Sequence, residues 1–289
     1  MKPRSGARAG RLALGIVPLL LAWSAYRGIV GNFFYTDDFE ILYDLGNTGL
    51  FPFLFEPHLG HGLMVRNVVL WGIWNACGVD AHWWYATVLA IHLLNTGLVF
   101  LLVDTLTGEA VVAALAATLF GISRMHEGSL GWLSASGHAM AAVPLLVLLL
   151  DMARHRRRGS VPSSWTCTGW VLLAAASSQC FGVALTTAPA VIVAARWLVP
   201  GLEPRAHRRM VSATLAIVFG VYGLQRLVFP TPTGAPITID QAPSLALVPR
   251  ILTAWLRLHI DLGFLVSPPA AAIVHGTLPS LVLSLASAA

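Results

Sequence analysis

Two adjacent carboxylates, Asp37 and Asp38 in the phrase Tyr-Thr-Asp-Asp-Phe-Glu, directly follow an apolar stretch long enough to cross a membrane. A carboxylate pair at a membrane boundary suits proton abstraction from an incoming hydroxyl, since a base held beside the reacting oxygen takes its proton as the new bond forms. The spacing supports a second role as well: Asp37 with Glu40 makes a capping box for a short helix ending near Gly46. The two roles are compatible.

His126 and Glu127 stand where a later apolar stretch emerges, in Ser-Arg-Met-His-Glu-Gly-Ser-Leu-Gly-Trp. They read either as a polar element facing the Asp pair or as a solvated helix end, and they lack the His-Glu-x-x-His spacing of a zinc hydrolase. Further on, Pro-Arg-Ile-Leu-Thr-Ala-Trp-Leu-Arg-Leu-His-Ile-Asp sets Arg250, Arg257, His259 and Asp261 in an apolar run. Arg250 and Arg257 share a helix face, where they would hold a phosphate or snorkel to lipid headgroups.

The elements that must position these residues are membrane helices. The chain has 289 residues, of which 56% are hydrophobic and 11% charged, too few charges to coat a soluble domain of this size. Its mean hydropathy is +0.73. Apolar segments of roughly 20 residues recur along the chain, at about 12 to 32, 83 to 104, 108 to 124, 137 to 152, 167 to 181, 182 to 199, 210 to 229, 245 to 266 and 269 to 287. The expected fold is therefore all-α, a polytopic bundle of about eight or nine spans forming one transmembrane domain over the whole chain.

The net charge of +5 does not point to nucleic acid, because the basic residues lie where membrane topology puts them. Twelve of the eighteen Lys and Arg form three clusters: Lys2, Arg4, Arg8 and Arg11; Arg154, Arg156, Arg157 and Arg158; and Arg196, Arg205, Arg208 and Arg209. If these are cytoplasmic, four spans separate the first two clusters and two spans the second pair, as the segments require. The amino terminus, 1 to 11, is then cytoplasmic, and the stretch 64 to 78 is a short interfacial or re-entrant helix. Loops at about 33 to 82, 125 to 136 and 230 to 244 face the other side, ahead of a remaining bundle over 83 to 289. The first of these loops is rich in Phe and Trp and carries Asp37, Asp38, Glu40, Asp44, Glu56 and Asp80 with a single Arg, Arg66. Such a loop suits the membrane surface and a binding role. Cys77, Cys167 and Cys180 show no metal or redox spacing.

In their order, these features resemble the GT-C superfamily of polytopic glycosyltransferases, particularly the branch of protein O-mannosyltransferases and transmembrane TPR-containing mannosyltransferase-like proteins. The matching phrases are Asp37-Asp38-Phe39 opening the first outer loop; Arg66 in that loop; His92 and Asn95 in Trp-Tyr-Ala-Thr-Val-Leu-Ala-Ile-His-Leu-Leu-Asn-Thr; Leu119 to Trp132; and Pro249 to Pro268. The chain departs from the pattern at Asn67 and Arg124, where the family usually has Pro, at Ser177-Ser178-Gln179 in place of Lys-Glu, and at His138 in place of Arg. It also stops earlier than most relatives, as a truncated member would.

The resemblance implies a polyprenyl-phosphate-linked sugar donor and an acceptor hydroxyl on a protein, lipid or glycan at the non-cytoplasmic face of a plasma or inner membrane. It implies inversion at the anomeric carbon, Asp37 or Asp38 as base, and Arg250 or Arg257 on the phosphate, assisted by Arg66 or His126, with Glu127 beside it. A divalent metal, if this member uses one, would bind at Asp37 and Asp38. Two other functions fit the sequence: a non-catalytic scaffold of the same fold, and a transporter or lipid flippase, although no internal repeat supports the latter.

Overall fold

A computed structural model of the protein describes residues 5–58 and 61–229. The last two expected spans, the loop at 230 to 244, and Arg250, Arg257, His259 and Asp261 lie outside the described residues. By its contacts the chain divides into two units, 1–122 with 126–231, and 123–125 with 232–289. The first holds the α-helices found among the described residues.

Those residues are mostly helical, with no β-strand and one isolated bridge between His58 and His61. The chain begins with α1 (Ser5–Tyr26) and passes through a 3₁₀ turn (Arg27–Gly31) into the polar loop region. That region folds as three short helices, α2 (Asp38–Asn47), α3 (Leu50–Phe55) and α4 (Met64–Cys77). Next come α5 (Ala81–Thr107), α6 (Ala110–Gly121) and α7 (Glu127–Gly131), then a 3₁₀ turn (Leu133–Ser136). The bundle continues with α8 (Gly137–Arg158), α9 (Ser164–Ser178), α10 (Ala184–Leu198) and α11 (Pro204–Val228).

Among the described residues four helical segments are long and apolar enough to cross a membrane: Gly10–Gly31, Ala81–Thr107, Leu133–Arg158 and Pro204–Val228. The segments expected at 108 to 124, 167 to 181 and 182 to 199 form shorter helices of 12, 15 and 15 residues. At 1.5 Å per residue, even the longer two span only about 22 Å. The stretch expected as a short helix at 64 to 78 is α4, 14 residues long.

α5 is the hub, packing against α1, α6 and α8; α8 continues to α9, which packs on α10 and α11. Small residues allow the close approaches, as expected where apolar lipid offers no drive for helices to associate. Gly121 at the end of α6 sits against Ala22 of α1 and Thr96 of α5, where an added Cβ would come within 2.9 Å and 3.0 Å of side-chain atoms. Between two of these helices Trp170 Nε1 of α9 donates to Asp151 Oδ2 of α8 at 2.8 Å.

The bundle has two chemically different ends. At one, Arg11 donates to the Gly108 carbonyl at 2.9 Å and pairs with Asp104 at 3.5 Å, while Arg156 and Arg157 border a cavity with the same Gly108 turn. Arg209 and Glu203 line a groove there with Val161 and Ser164. Arg11, Arg156, Arg157 and Arg209, drawn from the three basic clusters, thus lie at one end. The short helices α2, α3 and α4, the turn at 133–136 and the α9–α10 junction gather at the other.

Replacing Gly121 by Val should wedge α6 away from α1 and α5 and cost roughly 1–3 kcal/mol. A lower thermal midpoint in detergent for this variant checks it, with Gly72→Ala, whose added Cβ meets open space, expected at least as stable as native.

Candidate functional site

At the acidic end the chain turns sharply before α2. Thr36 adopts φ 43°, uncommon for a β-branched residue, and the turn is closed by the Asp38 N–H donating to the Tyr35 carbonyl at 3.0 Å. This turn sends the two adjacent carboxylates into different surroundings.

Asp38 is fully buried. Its Oδ1 accepts from the backbone N–H of Ser134 at 2.8 Å and from the Ser134 hydroxyl at 3.0 Å, and its Oδ2 from the Tyr35 N–H at 3.0 Å. The Tyr85 hydroxyl lies 3.5 Å from the same Oδ2 and 3.2 Å from the Phe33 carbonyl. Asp37 makes no side-chain hydrogen bond as the N-cap of α2, so the capping box with Glu40 does not form. The Tyr35–Asp38 bond fastens the helix start in its place, through the second carboxylate rather than the first.

Asp37 instead lines a cavity of about 140 Å³ with His58, His61, Arg66, Trp132, Ser134 and Phe181. Arg66 is 2% exposed on α4. Its Nε and Nη2 donate to Asn67 Oδ1 at 3.1 Å and 3.0 Å, and its Nη1 to the Ser134 carbonyl at 3.3 Å. Asn67 in turn donates to the Phe53 carbonyl at 2.6 Å. Burial pushes the guanidinium down to about 10, opposed by the Asp38 charge, so it stays protonated at neutral pH. The first turn of α4 is anchored by the Gln179 carbonyl, which accepts from the N–H groups of Val65 and Arg66 at 3.1 Å and 3.4 Å. Backbone donors left open at a helix start are thereby satisfied by the end of α9.

The cavity has two imidazoles and an indole. His58 and His61 exchange backbone hydrogen bonds of 3.0 Å and 2.9 Å, which fixes the turn that presents them. His61 stacks on Phe181 with ring centroids 5.5 Å apart and packs against Gly182, where a side chain would collide with the ring. Burial is the largest influence on both histidines and holds them below the ordinary imidazole range, with Arg66 adding to it; Asp44 and Asp37 pull His58 back up. Trp132 Nε1 and His58 Nε2 are buried with no hydrogen-bond partner.

A second cavity of about 200 Å³ adjoins the first, lined by Glu40, Asp44, Thr48, Phe53, Glu56 and, again, His58 and Arg66. Burial raises the Asp44 carboxyl above its usual range.

His126 and Glu127 are placed elsewhere. The His126 ring packs on Phe120 and His92, with centroids 4.6 Å and 4.9 Å apart, and does not line either cavity. Burial, reinforced by His92, holds it down to about 4, so it is neutral at physiological pH. Glu127 is exposed. Among the described residues no three His, Cys, Asp or Glu side chains converge on a point that could hold a metal ion. Both Asp38 oxygens are taken by hydrogen bonds, so Asp37 is the member of the pair left to a ligand.

His58, His61 and Phe181 were not marked by the sequence. Asn67, which the sequence presents as a departure from a motif, is the residue that clamps Arg66. Compared with protein-family models, curated protein sequences and solved structures, the chain matches none.

Asp38→Asn should destabilise the fold by roughly 3 kcal/mol or more, because it leaves buried Arg66 without its countercharge and turns a donor toward the Tyr35 N–H. Asp37→Asn should stay within about 0.5 kcal/mol of native. Chemical denaturation in mixed micelles separates the two. For His126, with its folded value depressed, the unfolded chain binds the proton first. Stability should therefore be full above the ordinary value of 6.5 and fall as the pH drops toward about 4. His126→Gln should flatten part of that slope in melts run across the range.

Proposed function

We propose that this protein is a membrane glycosyltransferase that moves a sugar from a polyprenyl-phosphate-linked donor to an acceptor hydroxyl, with inversion. The observation that carries this reading is one cavity lined by a carboxylate free of other bonds, Asp37, and a buried guanidinium, Arg66. Base and phosphate holder are the two groups such a transfer needs. The order of motifs shared with the GT-C branch adds to it.

In this reading Asp37 accepts the proton of the acceptor hydroxyl as its oxygen attacks the anomeric carbon. The bond from that carbon to the phosphate oxygen breaks, and the polyprenyl phosphate leaves with the electron pair. Entry opposite the leaving group inverts the centre through an oxocarbenium-like state. Arg66 has five N–H groups, of which three serve Asn67 and Ser134, so two can meet phosphate oxygens. Its charge is strong in a site that excludes water.

The proposed setting is a bundle of eight or nine spans with a cytoplasmic amino terminus and the cavity at the opposite face. The position of Arg11, Arg156, Arg157 and Arg209 at the far end of the bundle favours it under the positive-inside rule. The exposed Phe33, Tyr35, Phe39, Tyr43 and Phe51 suit the headgroup level, where a lipid-linked donor presents its sugar. Arg250 and Arg257 remain candidates for a second hold on the phosphate.

Purified protein in detergent, given a panel of radiolabelled polyprenyl-phosphate sugars, tests the reading. Native protein should move label to an acceptor or to water, and Asp37→Asn should lose about 10²-fold or more in turnover. Equal turnover by Asp37→Asn, or none by folded native protein across the panel, would count against it.

A further inference from the structure

At the basic end of the bundle α9 and α11 set out in the same direction, and between them runs a furrow of about 420 Å³. Ser164, Thr168 and Leu172 recur four apart on one wall, as Arg209, Ala213 and Ile217 do on the other, so each wall is a single helix face. Eight residues of helix make the furrow about 12 Å long. Its floor is the buried Cys167, Val171 and Met210, while Leu172 is 58% and Ile217 37% exposed, so it opens sideways from the bundle. The Thr168 hydroxyl donates to the Ser164 carbonyl at 3.0 Å, which leaves a methyl group as the surface it offers.

The furrow is apolar along its length and basic at its mouth. Arg209 lines that mouth, and Arg205 and Arg208 stand in the same first turns of α11. All three are exposed, and among the described residues none is engaged in an ion pair. One acid, Glu203, shares the mouth with them. Trp165, next to Ser164 in the first turn of α9, and Trp197, in the last turn of α10, are 85% and 73% exposed, the setting in which Trp marks the headgroup level. The mouth therefore lies at headgroup depth, and Leu172 and Ile217 lie two turns toward the hydrocarbon.

We propose that this furrow holds one anionic phospholipid, with an acyl chain laid between α9 and α11 and the phosphate on Arg209. The assignment is independent of the glycosyl-transfer reading, whose cavity is at the other end of the bundle. Apolar packing alone gives no preference among lipids, because any acyl chain fits a furrow of this kind equally well. The preference comes from charge. A guanidinium meets phosphate oxygens with paired N–H groups, and basic pockets between membrane helices hold anionic headgroups. A zwitterionic lipid brings an ammonium that Arg205 and Arg208 repel, and one carboxylate, Glu203, does not reverse the sign set by three guanidinium groups.

Native mass spectrometry of the protein released from detergent, with phosphatidylglycerol or phosphatidylcholine added in turn, tests this, alongside the thermal midpoint of each variant. Native protein should retain one phosphatidylglycerol and bind it roughly 5-fold to 10-fold more tightly than phosphatidylcholine. Arg209→Gln should weaken phosphatidylglycerol roughly 5-fold and bring the two affinities together. Arg154→Gln, which removes the same charge on α8 outside the furrow, should bind as native does. Thr168→Trp fills the furrow from its exposed wall and should lose the retained lipid; Ala213→Leu narrows it from the opposite wall with a smaller change and should weaken it. Equal affinity of native protein for the two lipids, native affinity in Arg209→Gln, or full retention in the folded furrow-filling variants would overturn the proposal. So would a loss in Glu203→Gln in place of Arg209→Gln, which would point to an ammonium headgroup, or a dimer abolished by Thr168→Trp, which would give the furrow to a second copy of the chain.

Discussion

A guanidinium and a carboxylate, both buried, must be satisfied at the acidic end of this bundle, and Ser134 joins them. Its N–H and hydroxyl bind Asp38 while its carbonyl binds Arg66. Neither charge would be tolerable alone away from water. The consequence is architectural: the turn before α2, the first turn of α4 and the 3₁₀ turn ahead of α8 are locked to one another through three residues distant in sequence. Asn67 extends the lock to α3 by way of the Phe53 carbonyl, and the Gln179 carbonyl extends it to the α9–α10 junction. The cavity walls come from these same segments, so the buried polar cluster sets the shape of the site.

That arrangement divides labour between neighbours. Asp38 is spent on structure, with its oxygens engaged by Ser134 and Tyr35. Asp37, one residue earlier, has no cap bond and faces the cavity. Such a division is economical because the rigid member fixes the backbone that presents the other to the cavity. The positive φ of Thr36 is what lets consecutive residues diverge in this way. Strain of this kind persists only where surrounding bonds hold it, and here the Tyr35–Asp38 turn does so.

Much of the helical architecture was legible in the sequence, since long apolar runs leave a bilayer protein few alternatives and the basic clusters mark one end. Lengths were less legible: α6 and α10 are shorter than the apolar runs containing them, because Gly, Ser and Pro near their ends stop the helix inside an apolar stretch, and α9 begins three residues earlier than its run. The Asp pair and Arg66 stood out by type. Which carboxylate would be buried did not, because that depends on Ser134, 96 residues away in sequence. The capping box was a sound local reading defeated by another local bond, from the Tyr35 N–H to Asp38. His58 and His61 carry no recognisable spacing, and only the folded turn brings their rings to the cavity beside Asp37.

The central claim is that the Asp37–Arg66 cavity receives the phosphate end of a lipid-linked sugar. A structure of the protein in lipid nanodiscs with a non-transferable polyprenyl-phosphate sugar analogue tests this most directly. The account predicts a phosphate within hydrogen-bond distance of Arg66 and the anomeric carbon turned toward Asp37. An empty cavity, with the analogue's phosphate bound at the basic end of the bundle near Arg156 and Arg157, would contradict it.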